Sequence, residues 1–156
     1  MYWEVGKGGI RLGQDGLTDA QRMENKKIQS ELWSERTKVL INLSNHPSNF
    51  WEGKQKEGWE KIIDIRFPNV PAGYNSHEVF LLMENLLNEE IYPLVEKLEG
   101  EGQLFFMVQG EFSLCYEILP FLQKMGAIAV PTTEREVVEK EGKKISIFKF
   151  IRWRII

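Results

Sequence analysis

The sequence predicts an α/β fold: a Rossmann-like three-layer sandwich whose sheet is mostly parallel and ends in an antiparallel edge hairpin. Two observations predict it. Short apolar runs at 38–43, 62–67, 104–108 and 127–131 alternate with helical patterns at 51–60, 76–98 and 111–125. Buried strands alternating with helices imply a parallel sheet covered on both faces. The ending then breaks that alternation. Residues 134–141 are charged, Gly142-Lys143-Lys144 is turn-like, and 145–153 alternates imperfectly. Strands over 135–139 and 145–153 would form a hairpin on the sheet edge, a place that invites pairing with a second copy of the chain.

Residues 1–36 read as a helical or flexible extension outside the α/β domain of residues 37–156. Four glycines fall among the first thirteen residues, and Asp15-Gly16 precedes a charged helical stretch with Thr18 or Asp19 as N-cap. Ile28, Leu32 and Trp33 are spaced as one helical stripe. The first strand, 38–43, is followed by a short helix at 51–60. The second strand stops at Pro68, and Asn69-Val70-Pro71-Ala72-Gly73-Tyr74-Asn75 is a loop rich in turn residues. Ser76 is expected to cap a long helix kinked at Pro93. Gly100 and Gly102 end it before the third strand. The next helix, bent at Pro120, is expected to close on Gly126 in the usual C-terminal position, ahead of the fourth strand.

The chain of 156 residues suffices for one domain with its own core. Its 42% hydrophobic and 28% charged content is that of a soluble globular protein, and no apolar stretch reaches the roughly 20 residues that cross a bilayer. The start, Met1-Tyr2-Trp3-Glu4, lacks the basic region and apolar centre of a secretory signal, so a cytoplasmic location without membrane attachment is expected. The single cysteine, Cys115, excludes an internal disulfide and reads as a buried structural thiol. A net charge of −3 gives no footprint for long nucleic acid but allows a small anionic ligand. No spacing resembles a metal cage, and neither metal nor cofactor is expected.

Three polar clusters carry the functional expectation. Ser44-Asn45-His46-Pro47-Ser48 follows the first strand, Gln109-Gly110-Glu111 the third, and Thr132-Thr133-Glu134-Arg135 the fourth. Parallel strands would bring them to one sheet edge, where open α/β folds bind ligands and where helix N-termini attract anions. His46 can contact a phosphate, act as general acid or base, or brace Pro47. His77 reads as a capping or surface residue. Ser44 is the better ligand contact, Ser48 an N-cap that also borders the site, and Asn45 faces the ligand or takes a left-handed turn. Gly110 allows close approach of backbone or ligand. Glu111 is a dipole-stabilised carboxylate, or a base or ribose contact. Gln109 offers donor and acceptor, and Thr132 and Thr133 offer hydroxyls. Arg135 either clamps a phosphate or pairs with Glu134, Glu136 or Glu139. Asp64 reads as a structural hydrogen-bonder. Trp51, Trp59 and Trp153 are large enough to stack on a base, with Trp59 expected in the core.

This set, with the terminal strand ending Phe148-Lys149-Phe150-Ile151-Arg152, resembles small single-domain CRISPR-associated Rossmann-fold (CARF-like) proteins over residues 37–154. Some of those are stand-alone ring nucleases. The resemblance implies a homodimer that binds a cyclic oligoadenylate, or another small nucleotide, across its two-fold axis. It implies antiviral signalling and a metal-independent cleavage in which a ribose 2′-hydroxyl attacks its phosphate to leave a 2′,3′-cyclic phosphate. His46 would then be acid/base or phosphate contact, Ser44 and Thr133 phosphate donors, and Arg135 a charge clamp. Three alternatives stand beside it: a sensor that binds without cutting, an enzyme acting on a nucleoside or nucleotide glycosidic bond through Glu111, and a structural interaction protein.

Overall fold

The computed structural model of the chain describes residues 16–34 and 37–156. The chain divides into two units at Arg36/Thr37. In the first, helix α1 (Asp19–Ser34) is capped by Thr18: the Gln21 N–H donates to Thr18 Oγ1 and the Thr18 N–H donates to Gln21 Oε1. The glycines of the first thirteen residues, Asp15, and the side chains of Leu32 and Trp33 lie outside the described residues.

The second unit is a five-stranded sheet in the order β2-β1-β3-β4-β5. Strands β1 (Lys38–Ser44), β2 (Lys61–Arg66), β3 (Gln103–Gln109) and the start of β4 (Ala127–Lys140) are parallel, and β5 (Lys143–Ile155) runs antiparallel to β4. β1 is an inner strand, between β2 and β3, and is buried from Val39 to Ser44, as a strand covered on both faces must be. One face carries Val39, Ile41, Leu43, Phe106 and Ile128 beneath α3 (Ser76–Leu86), α4 (Tyr92–Lys97) and α5 (Phe112–Leu122). The opposite face carries Leu40, Phe105, Met107 and Ala129 beneath Trp51, Trp59 and Trp153. That second layer is thin. The predicted helix at 51–60 reduces to a 3₁₀ turn (Ser48–Phe50) and one α-turn, α2 (Gly53–Lys56), because Trp51, Glu52 and Glu57 are extended. A four-residue helix cannot cover a sheet alone, and the tryptophans complete the layer. Trp59 packs edge-on against Phe105 at 5.1 Å and Trp153 at 5.6 Å, and Trp153 Nε1 donates to the Gln55 carbonyl. Trp51, Trp59 and Trp153, large enough to stack on a base, are packing residues here.

Three other expectations are corrected. Asn75, not Ser76, caps α3: its side chain accepts the Glu78 N–H while Glu78 Oε2 accepts the Asn75 N–H. At Pro93 the helix widens, running from α3 through a π-turn (Leu87–Ile91) into α4. Pro93 has no N–H to give and its ring crowds the preceding turn, which the wider turn accommodates. Gly126 is not in the left-handed conformation of a helix C-cap. It is required because a Cβ would collide with the Leu104 carbonyl oxygen of β3.

The fourth strand differs most from expectation. Thr132-Thr133-Glu134-Arg135 is no strand-to-loop junction, because β4 continues unbroken to Lys140, paired with β5 throughout. β-Branched threonines and valines suit extended backbone. β4 pairs with β3 only at Ala127 and Ile128, so most of its length forms, with β5, a two-stranded ribbon running past the sheet. Among the described residues no helix is long and apolar enough to cross a membrane.

Candidate functional site at the C-terminal edge of the sheet

The connection β1→β2 crosses the tryptophan face, while β2→β3 and β3→β4 cross the helix face. The order in which strands are added therefore reverses between the adjacent parallel strands β1 and β3, which makes their C-terminal ends the topological switch point. In register there, Ser44 lies opposite Arg66 of β2 on one side and opposite Gln109 of β3 on the other. Arg66, Ser44 and Gln109 thus form one row, roughly 10 Å from end to end at the spacing of neighbouring strands. The first two predicted clusters are brought together. Arg66, between the apolar Ile65 and Phe67, was missed, although its place at the end of a parallel strand was the signal that selected the others.

The loop after β1 is built from an internal hydrogen-bond network. Asn42 is 1% exposed, and its Nδ2 donates to Asp64 Oδ1 (2.7 Å) and to the His46 carbonyl (2.9 Å). Ser44 Oγ donates to Asn42 Oδ1 (2.7 Å) and accepts the His46 N–H (3.0 Å). Trp51 Nε1 donates to the same His46 carbonyl at 3.0 Å. Asp64 accepts from the Ser48 N–H and from Ser48 Oγ at 2.9 Å, fixing the entry to the 3₁₀ turn. A hydroxyl has one proton to give, so Ser44 and Ser48 shape the loop and have no donor left for a phosphate. Ser48 is not the N-cap, which falls on Pro47. Asn45 and His46 are left exposed at the loop tip.

The other predicted residues divide in the same way. Glu111 is the N-cap of α5, accepting from the Leu114 N–H (3.0 Å) and Ser113 Oγ (2.8 Å). These bonds, led by the Leu114 N–H, hold its carboxyl below the usual carboxylate range. Gly110 is needed for packing: a Cβ there would collide with the ring of Phe67, which fills the approach expected for a ligand. Gln109 is exposed beside it. Thr132 Oγ1 donates to the Arg152 carbonyl and accepts the Arg152 N–H, where the β4–β5 register shifts. Thr133 is exposed. Arg135 lies on the ribbon, donating through Nε (2.9 Å) and Nη2 (2.7 Å) to Ser146 Oγ, a partner neither of its alternatives included. His77 is exposed in the first turn of α3. Cys115 is half-buried, and burial pushes its thiol up, away from the reactive thiolate.

Beside the row lies an open groove of about 960 Å³, lined by Ser44, Asn45, Arg66, Asn69, Leu86 and Glu90, among others. Glu90 belongs to the π-turn, so the widening at Pro93 shapes one wall. Chemically the groove offers a guanidinium, two amides and two carboxylates, those of Asp64 and Glu90, around a partly apolar floor, a set that suits a polar ligand with both anionic and donor groups. Among the described residues no three His, Cys, Asp or Glu side chains are grouped to hold a metal ion.

The model of the uncharacterized protein MJ1673 family matches residues 38–154, and the chain belongs to that family. The match begins at the first residue of β1 and ends within β5, spanning the whole sheet. Neither a curated protein nor a solved structure matches the chain.

Proposed function

We propose that the C-terminal edge of the sheet binds a small nucleotide of the cyclic oligoadenylate type, in a cytoplasmic homodimer acting in CRISPR-associated defence. The observation that carries this reading is the row Arg66–Ser44–Gln109 at the switch point, with the exposed Asn45 and His46 above it. Arg66 supplies the charge for a phosphodiester, in place of the Arg135 expected from the sequence. Asn45, Gln109 and Asn69 supply amides for base and ribose edges. The groove is at the upper end of the size of small-molecule sites, which suits a ring of several nucleotides.

Binding is the better supported half of the proposal. Ser44, Ser48, Thr132 and Glu111 are engaged within the protein, which leaves the exposed His46 as the candidate to take a proton from a ribose 2′-hydroxyl. The cap role of Glu111 speaks against the glycosidic alternative. The experiment is incubation of the full chain with cyclic tri-, tetra- and hexa-adenylate in EDTA, with products resolved by chromatography and mass spectrometry and binding followed by calorimetry. Binding that Arg66→Ala weakens about tenfold supports the site. Linear products ending in a cyclic phosphate, lost in His46→Ala, make it a ring nuclease, and intact bound rings make it a sensor. No binding of any ring refutes the proposal.

A further inference from the structure

The ribbon formed by β4 and β5 beyond the sheet exposes apolar side chains among its charges. Directly opposite residues share a face, so Glu134 stands beside Lys149, Glu136 beside Ile147, Val138 beside Ile145 and Lys140 beside Lys143. This face continues that of Ile128 and Val130, because β4 alternates without interruption while the register shift skips a residue on β5. Val138, Ile145 and Ile147 are 37%, 45% and 48% exposed. A two-stranded ribbon is marginal alone.

We propose that this face packs on the same face of a second copy, the two ribbons crossing antiparallel about a two-fold axis near Val138 and Ile145. The inference rests on the homodimer of the reading above and names its surface. Charge selects the arrangement. Along the face Glu134 is already offset by Lys149 opposite it, Glu136 stands beside the apolar Ile147 with no cation opposite, and Lys140 and Lys143 lie together at the tip. An antiparallel crossing sets Glu136 of each copy against Lys140 and Lys143 of the other, and stacks Val138 and Ile145 on themselves. Pairing along the β5 edge is disfavoured instead: Lys143, Lys144, Lys149, Arg152 and Arg154 are unrelieved by any acid on that strand. The ribbon's opposite face also exposes Val137 and Phe148, but it leads into Phe150 and Trp153, already packed together, and so has no open apolar surface to continue onto.

Size extends the interface onto the sheet. Residues 133–140 reach about 26 Å, and a face two strands wide gives about 260 Å², a third of the roughly 800 Å² per partner of a stable dimer. On the same side Tyr116, Val130 and Ile156 are exposed around an apolar groove of about 540 Å³. They supply the remainder.

The test is sedimentation equilibrium of the full chain at low salt. The wild type is expected to dimerise, Glu136→Lys to weaken the dimer by about tenfold or more, and the further changes Lys140→Glu and Lys143→Glu to restore it. All three positions are exposed, and circular dichroism checks that the variants fold. A monomeric wild type, or a dimer indifferent to Glu136→Lys, overturns the proposal. As a second readout, Val138→Cys in a Cys115→Ser background should cross-link to its own copy on oxidation, and a dimer that fails to do so also overturns it. Cyclic tetra-adenylate titrated into the same samples separates the two readings. A monomer that binds the ring sinks the ribbon contact and the homodimer but leaves the nucleotide site, and a dimer that binds no cyclic adenylate sinks the nucleotide site alone.

Discussion

The polar segments after β1 and within β4 look alike as sequence, each a run of hydroxyl and charged residues following an apolar strand, yet they become opposite structures. After β1 the side chains turn inward: Asn42, Ser44, Asp64, Ser48 and Trp51 hold a tight loop from below and leave two residues at its tip. In β4 the side chains stay in the alternation of a strand, and their hydrogen bonds are local, Thr132 with Arg152 and Arg135 with Ser146. The difference teaches that a polar cluster marks a site only when a buried partner fixes its backbone. Asn42 supplies that partner after β1. Among the described residues Arg135 is bonded to Ser146 on the exposed ribbon and to no buried side chain.

The largest break in this contrast is expected at Asn42. Asn42→Ala removes the donor to Asp64 and to the His46 carbonyl together with the acceptor of Ser44, and should cost about 2–4 kcal/mol in denaturant unfolding. Next is Gly110→Ala, which drives a methyl into the Phe67 ring and should cost about 1–3 kcal/mol, with the fall in stability exceeding any change at the loop. Glu111→Gln should lower the melting temperature by roughly 2–4 °C through the weakened cap. The sign with pH follows from its depressed folded value. The contribution of Glu111 is complete above its ordinary 4.5 and is lost as pH falls through the folded value, so wild type and variant should converge in acid. The smallest effect belongs to Arg135→Ala, within about 0.5 kcal/mol in stability and without change in nucleotide affinity. A large loss of affinity there would erase the contrast between the two segments.

The alternation of strands and helices was legible because buried parallel strands are apolar runs, and the meeting of Ser44 with Gln109 followed from their places at strand ends. Other features were not legible for definite reasons. Asn42 and Asp64 pair across strands 22 residues apart, a contact no local pattern signals. Arg66 is one charge within an apolar alternation. The length of β4 was hidden because its charged residues resemble a loop, whereas a two-stranded ribbon reaching past the sheet carries them at exposed positions. The Asn75 cap was readable from the glutamate three residues on, but the serine beside it competed for the same role.

Trp51 has a consequence of another kind. Its indole N–H is bonded to the carbonyl of His46, at the root of the loop tip, while its ring lies 5.8 Å from Trp153. The loop therefore contains its own optical reporter. A ligand that draws His46 aside must lengthen that bond and alter the polarity around the ring, so emission from Trp51 registers occupancy of the edge without any attached dye.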